Sequence, residues 1–129
     1  MSPTIVLQPA LLPEGRSTLI VRAVVGASGG PRIISGTLQV LVRALLRGEG
    51  AAAAVGQPRM HHQLIPAFAF VEEYSNGHVT ERVPEIVKEG LQLRGHHVRD
   101  TRKHSVTQLI LQDPYSCRDR RKGGEPAGY

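Results

Sequence analysis

The first third of the chain alternates between apolar runs and turn-forming residues. Residues 4–7 (TIVL) and 18–25 (TLIVRAVV) are rich in valine, isoleucine and leucine, whereas the stretch from Gln8 to Ser17 carries two prolines and a glycine. Apolar, β-branched runs bounded by proline and glycine are typical of strands. The pattern therefore predicts an antiparallel hairpin with a loop from Gln8 to Ser17, and Gly26 is expected to end its second strand.

Apolar residues next recur at helical spacing. Isoleucine or leucine occupies positions 34, 38, 41 and 45, and further apolar residues at 33, 40 and 44 widen the stripe. This spacing predicts a largely buried helix over residues 31–47, because Pro31 suits a first helical turn and Gly48 supplies a stop. A second, short helical turn is expected over residues 51–55.

The second half of the chain is less regular. Residues 58–66 lie between prolines and are expected to be irregular, residues 67–72 predict a strand, and Asn76-Gly77 predicts a turn. A helix is expected to open at Pro84 and stop at Gly95. Its expected inner face consists of Ile86, Val87, Gly90 and Leu91.

Residues 104–111 alternate well enough to predict a strand, ended by Asp113-Pro114. The remaining residues are polar and expected to be extended. Strands and helices of this kind, without an internal repeat, predict an α+β fold.

Length and composition limit the number of domains, the kind of core and the kinds of site that the chain can have. A chain of 129 residues corresponds to one domain or part of one, so residues 1–129 are expected to form a single segment. Hydrophobic residues make up 40% of the chain but aromatic residues only 4%, which predicts an aliphatic core. The one cysteine excludes an internal disulfide and a multi-cysteine metal site. Neither a membrane helix nor a signal peptide is recognisable.

The positive charge is concentrated towards the C-terminus. Of the net charge of +5, residues 94–129 contribute +4, with eight Lys and Arg against four Asp and Glu. A basic tail can bind nucleic acid. Here no aromatic residues interleave the arginines to stack on bases, so a solvated basic surface is preferred and no nucleic-acid partner is expected.

Potentially reactive side chains form no recognised catalytic or metal-binding pattern. The six histidines include two doublets, His61-His62 and His96-His97, but no HExxH sequence or cysteine partner accompanies them, so no metal is expected. Cys117 has no base nearby in sequence, and Ser28 lacks the spacing of a nucleophile elbow. No cofactor is expected either.

The stretch from Val24 to Ile34 predicts a strand, a glycine-rich turn and the start of a helix. Ser28-Gly29-Gly30 can adopt backbone angles closed to other residues, and a turn at a helix N-terminus can present N–H groups to an anion or a developing oxyanion. A plain tight turn has the same sequence features more often. The residues thus offer an anion-receptive turn and no nucleophile to accompany it.

Several stretches in one order resemble a known family. They are Met1-Ser2-Pro3-Thr4-Ile5, Gly26-Ala27-Ser28-Gly29-Gly30, Pro58-Arg59-Met60-His61-His62-Gln63 and the terminal Arg121-Lys122-Gly123-Gly124-Glu125-Pro126-Ala127-Gly128-Tyr129. Together they resemble the C-terminal part of the light subunit of gamma-glutamyltranspeptidases, also called glutathione hydrolases. The resemblance covers nearly the whole chain.

The resemblance implies the C-terminal portion of an N-terminal-nucleophile hydrolase, an αββα sandwich. In this family the precursor cuts itself, a threonine becomes the first residue of the light subunit, and this threonine attacks the γ-glutamyl amide. Two consecutive N–H groups of a Gly-Gly turn form the oxyanion hole, and Gly29 and Gly30 match those positions. Asp119 matches an aspartate that the family places before its terminal Gly-Gly.

Other parts of the family's active site have no match in this sequence. The nucleophilic threonine lies upstream of the matched region, a substrate-binding serine pair comes immediately before the position of Met1, and the residues that hold the amino-acid end of the substrate are also missing. Residues 113–117 are more polar than the apolar strand expected there. The resemblance thus implies a light-chain segment that supplies the oxyanion hole and is inactive alone.

The implied partners are the heavy subunit and the upstream part of the light chain, with glutathione or another γ-glutamyl compound as the substrate of the assembled site. Assembly with an anchored large subunit implies the extracellular face of the plasma membrane, without a membrane span in this chain. A non-catalytic light-chain remnant that acts as a binding protein is the alternative, and a basic binding module is a third hypothesis.

Overall fold

The computed structural model describes residues 3–75, 80–112 and 116–117. Two sheets and three α-helices make up this part of the chain. In chain order the elements are β1 (Thr4–Leu11), β2 (Ser17–Ser28), α1 (Arg32–Leu41) with a π-helical turn (Val42–Leu46), α2 (Ala51–Gly56), β3 (Met60–His61), β4 (Ala69–Ser75), β5 (Thr80–Arg82), α3 (Glu85–Gln92), β6 (Val98–Thr101), β7 (Val106–Leu111) and β8 (Ser116–Cys117).

The first sheet has the order β1-β2-β7-β8, and all of its strand pairs are antiparallel. In the second sheet β4 pairs antiparallel with β3 and β5 and parallel with β6. This mixture of strands and helices confirms the expected α+β class.

The hairpin is confirmed, but both of its strands are longer than the sequence predicted. Strand β1 continues to Leu11 with Pro9 opposite Leu19, so the expectation of a loop from Gln8 was wrong. β1 is the outer strand of the described sheet, where a proline can lack an N–H without breaking the ladder. Strand β2 continues through Gly26 because β7 pairs with it as far as Ser28, so Gly26 does not end the strand.

The predicted helix over residues 31–47 divides into two parts, and it is not largely buried as predicted, since Ile34 is 76% and Leu38 59% exposed. Its last turn, Val42–Leu46, is π-helical, and Gly48 with φ +68° follows it. From this turn the half-buried Arg43 donates hydrogen bonds to the carbonyls of Gln57 (3.2 Å) and Pro58 (2.7 Å), and burial lowers its pKa. Arg43 therefore ties the end of the helix to the chain that leaves α2.

The core is aliphatic, as the composition predicted. It lies between the inner face of the first sheet and the layer formed by α1, its π-helical turn and α2. Its buried residues are Ala23, Val25, Val40, Ala44, Ala51, Ala54, Val55 and Leu109. The short helical turn expected over residues 51–55 is confirmed as α2.

The second sheet departs further from expectation. Strand β4 begins and ends later than the predicted 67–72, and β3, β5 and β6 were not predicted. Helix α3 follows Pro84 and stops before Gly95, which has φ +85°. The predicted inner face of α3 was wrong, because no residue of this helix is buried and Ile86 is 76% exposed.

Contacts at the surface tie α3 to the second sheet. Lys88 donates a 2.7 Å hydrogen bond to Asp100 of β6, and this bond raises the pKa of Lys88. The predicted turn at Asn76-Gly77, the stop at Asp113-Pro114 and the extended residues from 118 onward lie outside the described residues.

One face of the first sheet is apolar and exposed. In the strand register Ile5 lies opposite Val24, and Val24 lies opposite Ile110, so the apolar side chains continue across three strands. Ile5 is 62% and Ile110 54% exposed. We call this surface the open face, and its members are Ile5, Leu7, Leu19, Val21, Val24 and Ile110.

We expect the isolated 129-residue chain to self-associate, because large exposed apolar patches drive association. The double substitution Val24→Lys with Ile110→Lys should reduce self-association, since both side chains lie on the open face. Size-exclusion chromatography with light scattering measures the difference. A wild-type chain that runs as a monomer with a cooperative thermal transition would contradict the expectation.

Candidate functional site

The Gly29-Gly30 turn joins the end of β2 to the start of α1. Gly29 has φ +131° and Gly30 φ +61°, conformations that side chains rarely adopt. A Cβ on Gly29 would lie 2.8 Å from the Ser105 Cα and 3.2 Å from the His104 carbonyl oxygen, whereas a Cβ on Gly30 would meet nothing within 4 Å. Gly29 is therefore packed against the backbone of His104 and Ser105, whereas a side chain at Gly30 would point into open space.

The hydrogen bonds of the turn determine which way one donor points. The Gly29 carbonyl accepts from the Arg32 N–H (3.4 Å), and the Gly30 carbonyl accepts from the Ile33 N–H (3.1 Å). In a planar trans peptide the N–H is antiparallel to the preceding carbonyl, so the Gly30 N–H points away from α1. It lies at the positive end of the helix dipole, an arrangement suited to binding an anionic oxygen.

The start of β1 pairs with the part of β2 that leads into this turn. Thr4 is opposite Val25, and the Pro3 Cα lies 3.9 Å from where a Cβ on Gly26 would stand. Because the two strands are antiparallel, the backbone at Pro3 is adjacent to the part of β2 that leads into the turn. Groups carried by chain that precedes β1 would therefore reach the same end of the sheet.

A buried polar cluster surrounds Arg59 and includes Ser105, the residue that packs against Gly29. Arg59, only 2% exposed, donates to the Thr107 Oγ1 (2.7 Å) and to the Ser105 carbonyl (3.0 Å). Its Nε lies 3.5 Å from the Glu72 Oε2, and its backbone N–H donates to the same oxygen at 3.0 Å. From the sequence, Arg59 was recognisable only as part of a family motif, because no local pattern indicates which residues a buried arginine will contact.

The residues that follow Arg59 are bonded to α1. The Gln39 side chain donates to the Met60 carbonyl (2.7 Å) and accepts from the Met60 N–H (2.9 Å). The Ser35 hydroxyl and the His61 Nδ1 are 2.8 Å apart. We call residues 58–61 the strut, because Arg43, Gln39 and Ser35 all attach this segment to the helical layer.

The remaining candidate residues form no second site in the described part of the chain. The rings of His62 and His96 are 5.4 Å apart, but no three His, Cys, Asp or Glu side chains among the described residues are placed to hold a metal ion. His78 and Asp119 lie outside the described residues, as does the side chain of Cys117. None of the described helices has the length and apolar character needed to cross a bilayer.

Comparisons with known proteins identify first the class of fold and then the family to which the chain belongs. The structure aligns with a mutant of Helicobacter pylori gamma-glutamyltranspeptidase at a TM-score of 0.66 and 25% identity, over 94% of this chain and 62% of the other. The fold is thus that of the N-terminal-nucleophile hydrolases. The family model described as gamma-glutamyltranspeptidase matches residues 1–129, and the chain belongs to that family.

Two curated relatives span the whole of this chain. Glutathione hydrolase 2 of Arabidopsis thaliana is 32% identical over 140 residues, and the glutathione hydrolase proenzyme of Escherichia coli is 33% identical over 134 residues. The chain covers 23% of the first protein and 20% of the second. It therefore corresponds to about a fifth to a quarter of the length of these relatives.

Proposed function

We propose that residues 1–129 act as the C-terminal segment of the light chain of a glutathione hydrolase or gamma-glutamyl transferase, and that the backbone N–H groups of Gly29 and Gly30 form its oxyanion hole. The observation that carries the proposal is the direction of the Gly30 N–H, which points away from α1 at the positive end of the helix dipole. The two positive φ values at Gly29 and Gly30 suit a turn that brings its backbone close to a substrate.

In the assembled site, the hydroxyl oxygen of an upstream threonine would attack the γ-glutamyl carbonyl carbon, while the threonine's own α-amino group takes the hydroxyl proton and passes it to the leaving nitrogen. The carbonyl π electrons move to oxygen, and the resulting oxyanion accepts hydrogen bonds from the turn. Collapse of this tetrahedral intermediate breaks the C–N bond, releases the amine and leaves an acyl-enzyme, which water or an acceptor amine resolves. The turn acts on the transition state because preorganised donors meet the charge as it develops.

The rest of the site would come from parts of the enzyme beyond this segment: the heavy subunit and the upstream light chain with its threonine and serine pair. The position of Pro3 beside β2 supports this arrangement, since chain entering β1 reaches the same end of the sheet as the turn. The exposed open face supports a larger assembly as well, because it offers an apolar surface for the remainder of the sandwich. Attachment to an anchored large subunit would place the enzyme at the extracellular face of the plasma membrane.

A chimera tests the proposal. In it, residues 1–129 replace the matching part of the Escherichia coli glutathione hydrolase, which retains its own threonine and heavy-chain region. We expect the chimera to release the chromophore from a γ-glutamyl anilide, and the isolated 129-residue chain to show no release above background. Turnover that copurifies with the isolated chain would contradict its assignment as a segment that is inactive alone.

The chimera also tests the alternative. A chimera that cleaves itself into two subunits, and so assembles correctly, but does not turn over would overturn the proposed oxyanion role. That result would favour the non-catalytic light-chain remnant that acts by binding.

A further inference from the structure

The strut, residues 58–61, takes no part in the proposed chemistry, yet it contacts both the helix that follows the Gly29-Gly30 turn and the residue packed beneath that turn. We propose that Arg59 is a positioning residue, which holds Ser105 against Gly29 and thereby sets the direction of the oxyanion-binding N–H groups. This inference rests on the proposed function of the turn.

Ser105 connects Arg59 to the turn. It is 2% exposed, and its carbonyl accepts the 3.0 Å hydrogen bond from the Arg59 Nη2. Its Cα lies so close to Gly29 that a Cβ there would be only 2.8 Å away. The Ser105 backbone therefore forms the floor on which Gly29 rests, and a shift of this floor moves the turn with it.

Ser105 also contacts α1. A Cβ on Gly36 would overlap the Ser105 Oγ and would lie 3.3 Å from the Thr107 Oγ1. Ser105 is therefore wedged between the turn and the second turn of the helix, so its position determines how closely both approach β7. Close-packed interiors transmit such shifts, because few voids are available to absorb them.

The geometry around Arg59 requires a guanidinium group. Its side chain reaches three partners in different directions: the Ser105 carbonyl, the Thr107 hydroxyl and the Glu72 carboxylate. A lysine ammonium carries the same charge but lacks the rigid planar fork, so it cannot reproduce these contacts together. Glu72 is itself fixed, since its N–H donates to the Arg59 carbonyl at 2.9 Å and its Oε2 accepts from the Arg59 N–H.

The strut makes the arrangement rigid on the helical side. Met60 exchanges two hydrogen bonds with the Gln39 side chain, and His61 contacts the Ser35 hydroxyl. The same four-residue segment thus holds the helix on one side and, through Arg59, the floor beneath Gly29 on the other. Arg59 therefore sets the distance between helix α1 and the Ser105 backbone beneath Gly29.

Arg59→Lys in the chimera tests the inference. We expect kcat for the γ-glutamyl anilide to fall about 10- to 100-fold, because small misplacements of catalytic groups carry costs of this order. Affinity for a boronic acid analogue of the γ-glutamyl group, whose tetrahedral threonine adduct places an oxygen in the oxyanion hole, should fall by the same factor. The inhibition constant of glutamate, which forms no oxyanion, should stay unchanged, as should the number of titratable active sites.

The matched control is Thr107→Val, which removes another hydrogen-bond acceptor of Arg59 but leaves its bond to the Ser105 carbonyl. We expect this variant to keep kcat within about threefold of the unaltered chimera.

If Arg59→Lys does not mature, the pair replacement Arg59→Met with Glu72→Met takes its place, because an apolar pair can replace a buried ion pair without loss of the fold. It should show the same loss of kcat and of boronate affinity.

The inference is overturned if the Arg59 variant keeps its kcat, if glutamate and boronate affinities fall together, or if only the number of active sites falls. Failure of the proposed function is a separate result. A Gly30 variant of the chimera with unchanged kcat would show that the turn does not bind the oxyanion, whatever the behaviour of Arg59.

Discussion

Substitution of Gly30 by valine in the chimera is expected to lower kcat about 100- to 1000-fold, the usual cost of losing one oxyanion-hole donor. Gly30 has φ +61°, a conformation that strains a β-branched residue, so valine would rotate the peptide that carries the donor N–H. Its side chain would also enter the open space beside the turn and crowd a bound acyl group. Steady-state kinetics with the γ-glutamyl anilide measure the loss.

Gly48→Val is the matched control for this substitution. Gly48 has φ +68°, and a Cβ there would likewise meet nothing within 4 Å, but it follows the π-helical turn rather than β2. Both substitutions carry a similar backbone strain, so only the position of Gly30 can account for a difference in kcat. Equal kcat values for the two variants would assign Gly30 a purely structural role.

Removal of the Glu72 carboxylate is expected to have the largest effect on stability. Glu72→Ala leaves the buried Arg59 guanidinium without its counter-charge, and breaking a buried ion pair in this way costs about 3–5 kcal/mol. The carboxylate also lies 3.4 Å from the His104 Nδ1, so the substitution removes a second polar contact. Pulse proteolysis of the chimera in urea should show the corresponding decrease in the free energy of unfolding.

The neighbouring residue supplies the control. Glu73 lies on the same strand and forms an ion pair with Arg82 at 3.2 Å, but the Arg82 side chain is 63% exposed. Exposed pairs contribute about 0–1 kcal/mol, so Glu73→Ala should change the unfolding free energy little. Similar losses for the two variants would mean that the Arg59–Glu72 pair has no special role in stability.

The elements that the sequence predicted correctly are those with a strong pattern of their own. The hairpin has long apolar runs, and α1 has an apolar stripe at helical spacing with a glycine stop. By contrast, β5 and β6 have only three and four residues and form by pairing with β4. The π-helical turn was missed because its apolar residues suit an α-helix equally well.

The candidate site likewise has one part that the sequence could predict and one part that it could not. The Gly29-Gly30 turn was recognisable because glycine and proline determine local backbone geometry. The floor beneath it was not, since Ser105 is distant in sequence and has no signature of its own. Arg59 likewise became interpretable only once the fold had brought β4 and β7 around it.

The order in which the chain can fold follows from the pairing of β2. Strand β2 first has a local partner, β1, across a short loop, but its other partner, β7, lies about eighty residues further along the chain. Loop closure makes such a distant pairing slow compared with a hairpin. Because Ser105 immediately precedes β7 and supports Gly29, the turn takes its native shape only when β7 docks. The proposed oxyanion hole is therefore among the last parts of the segment to fold.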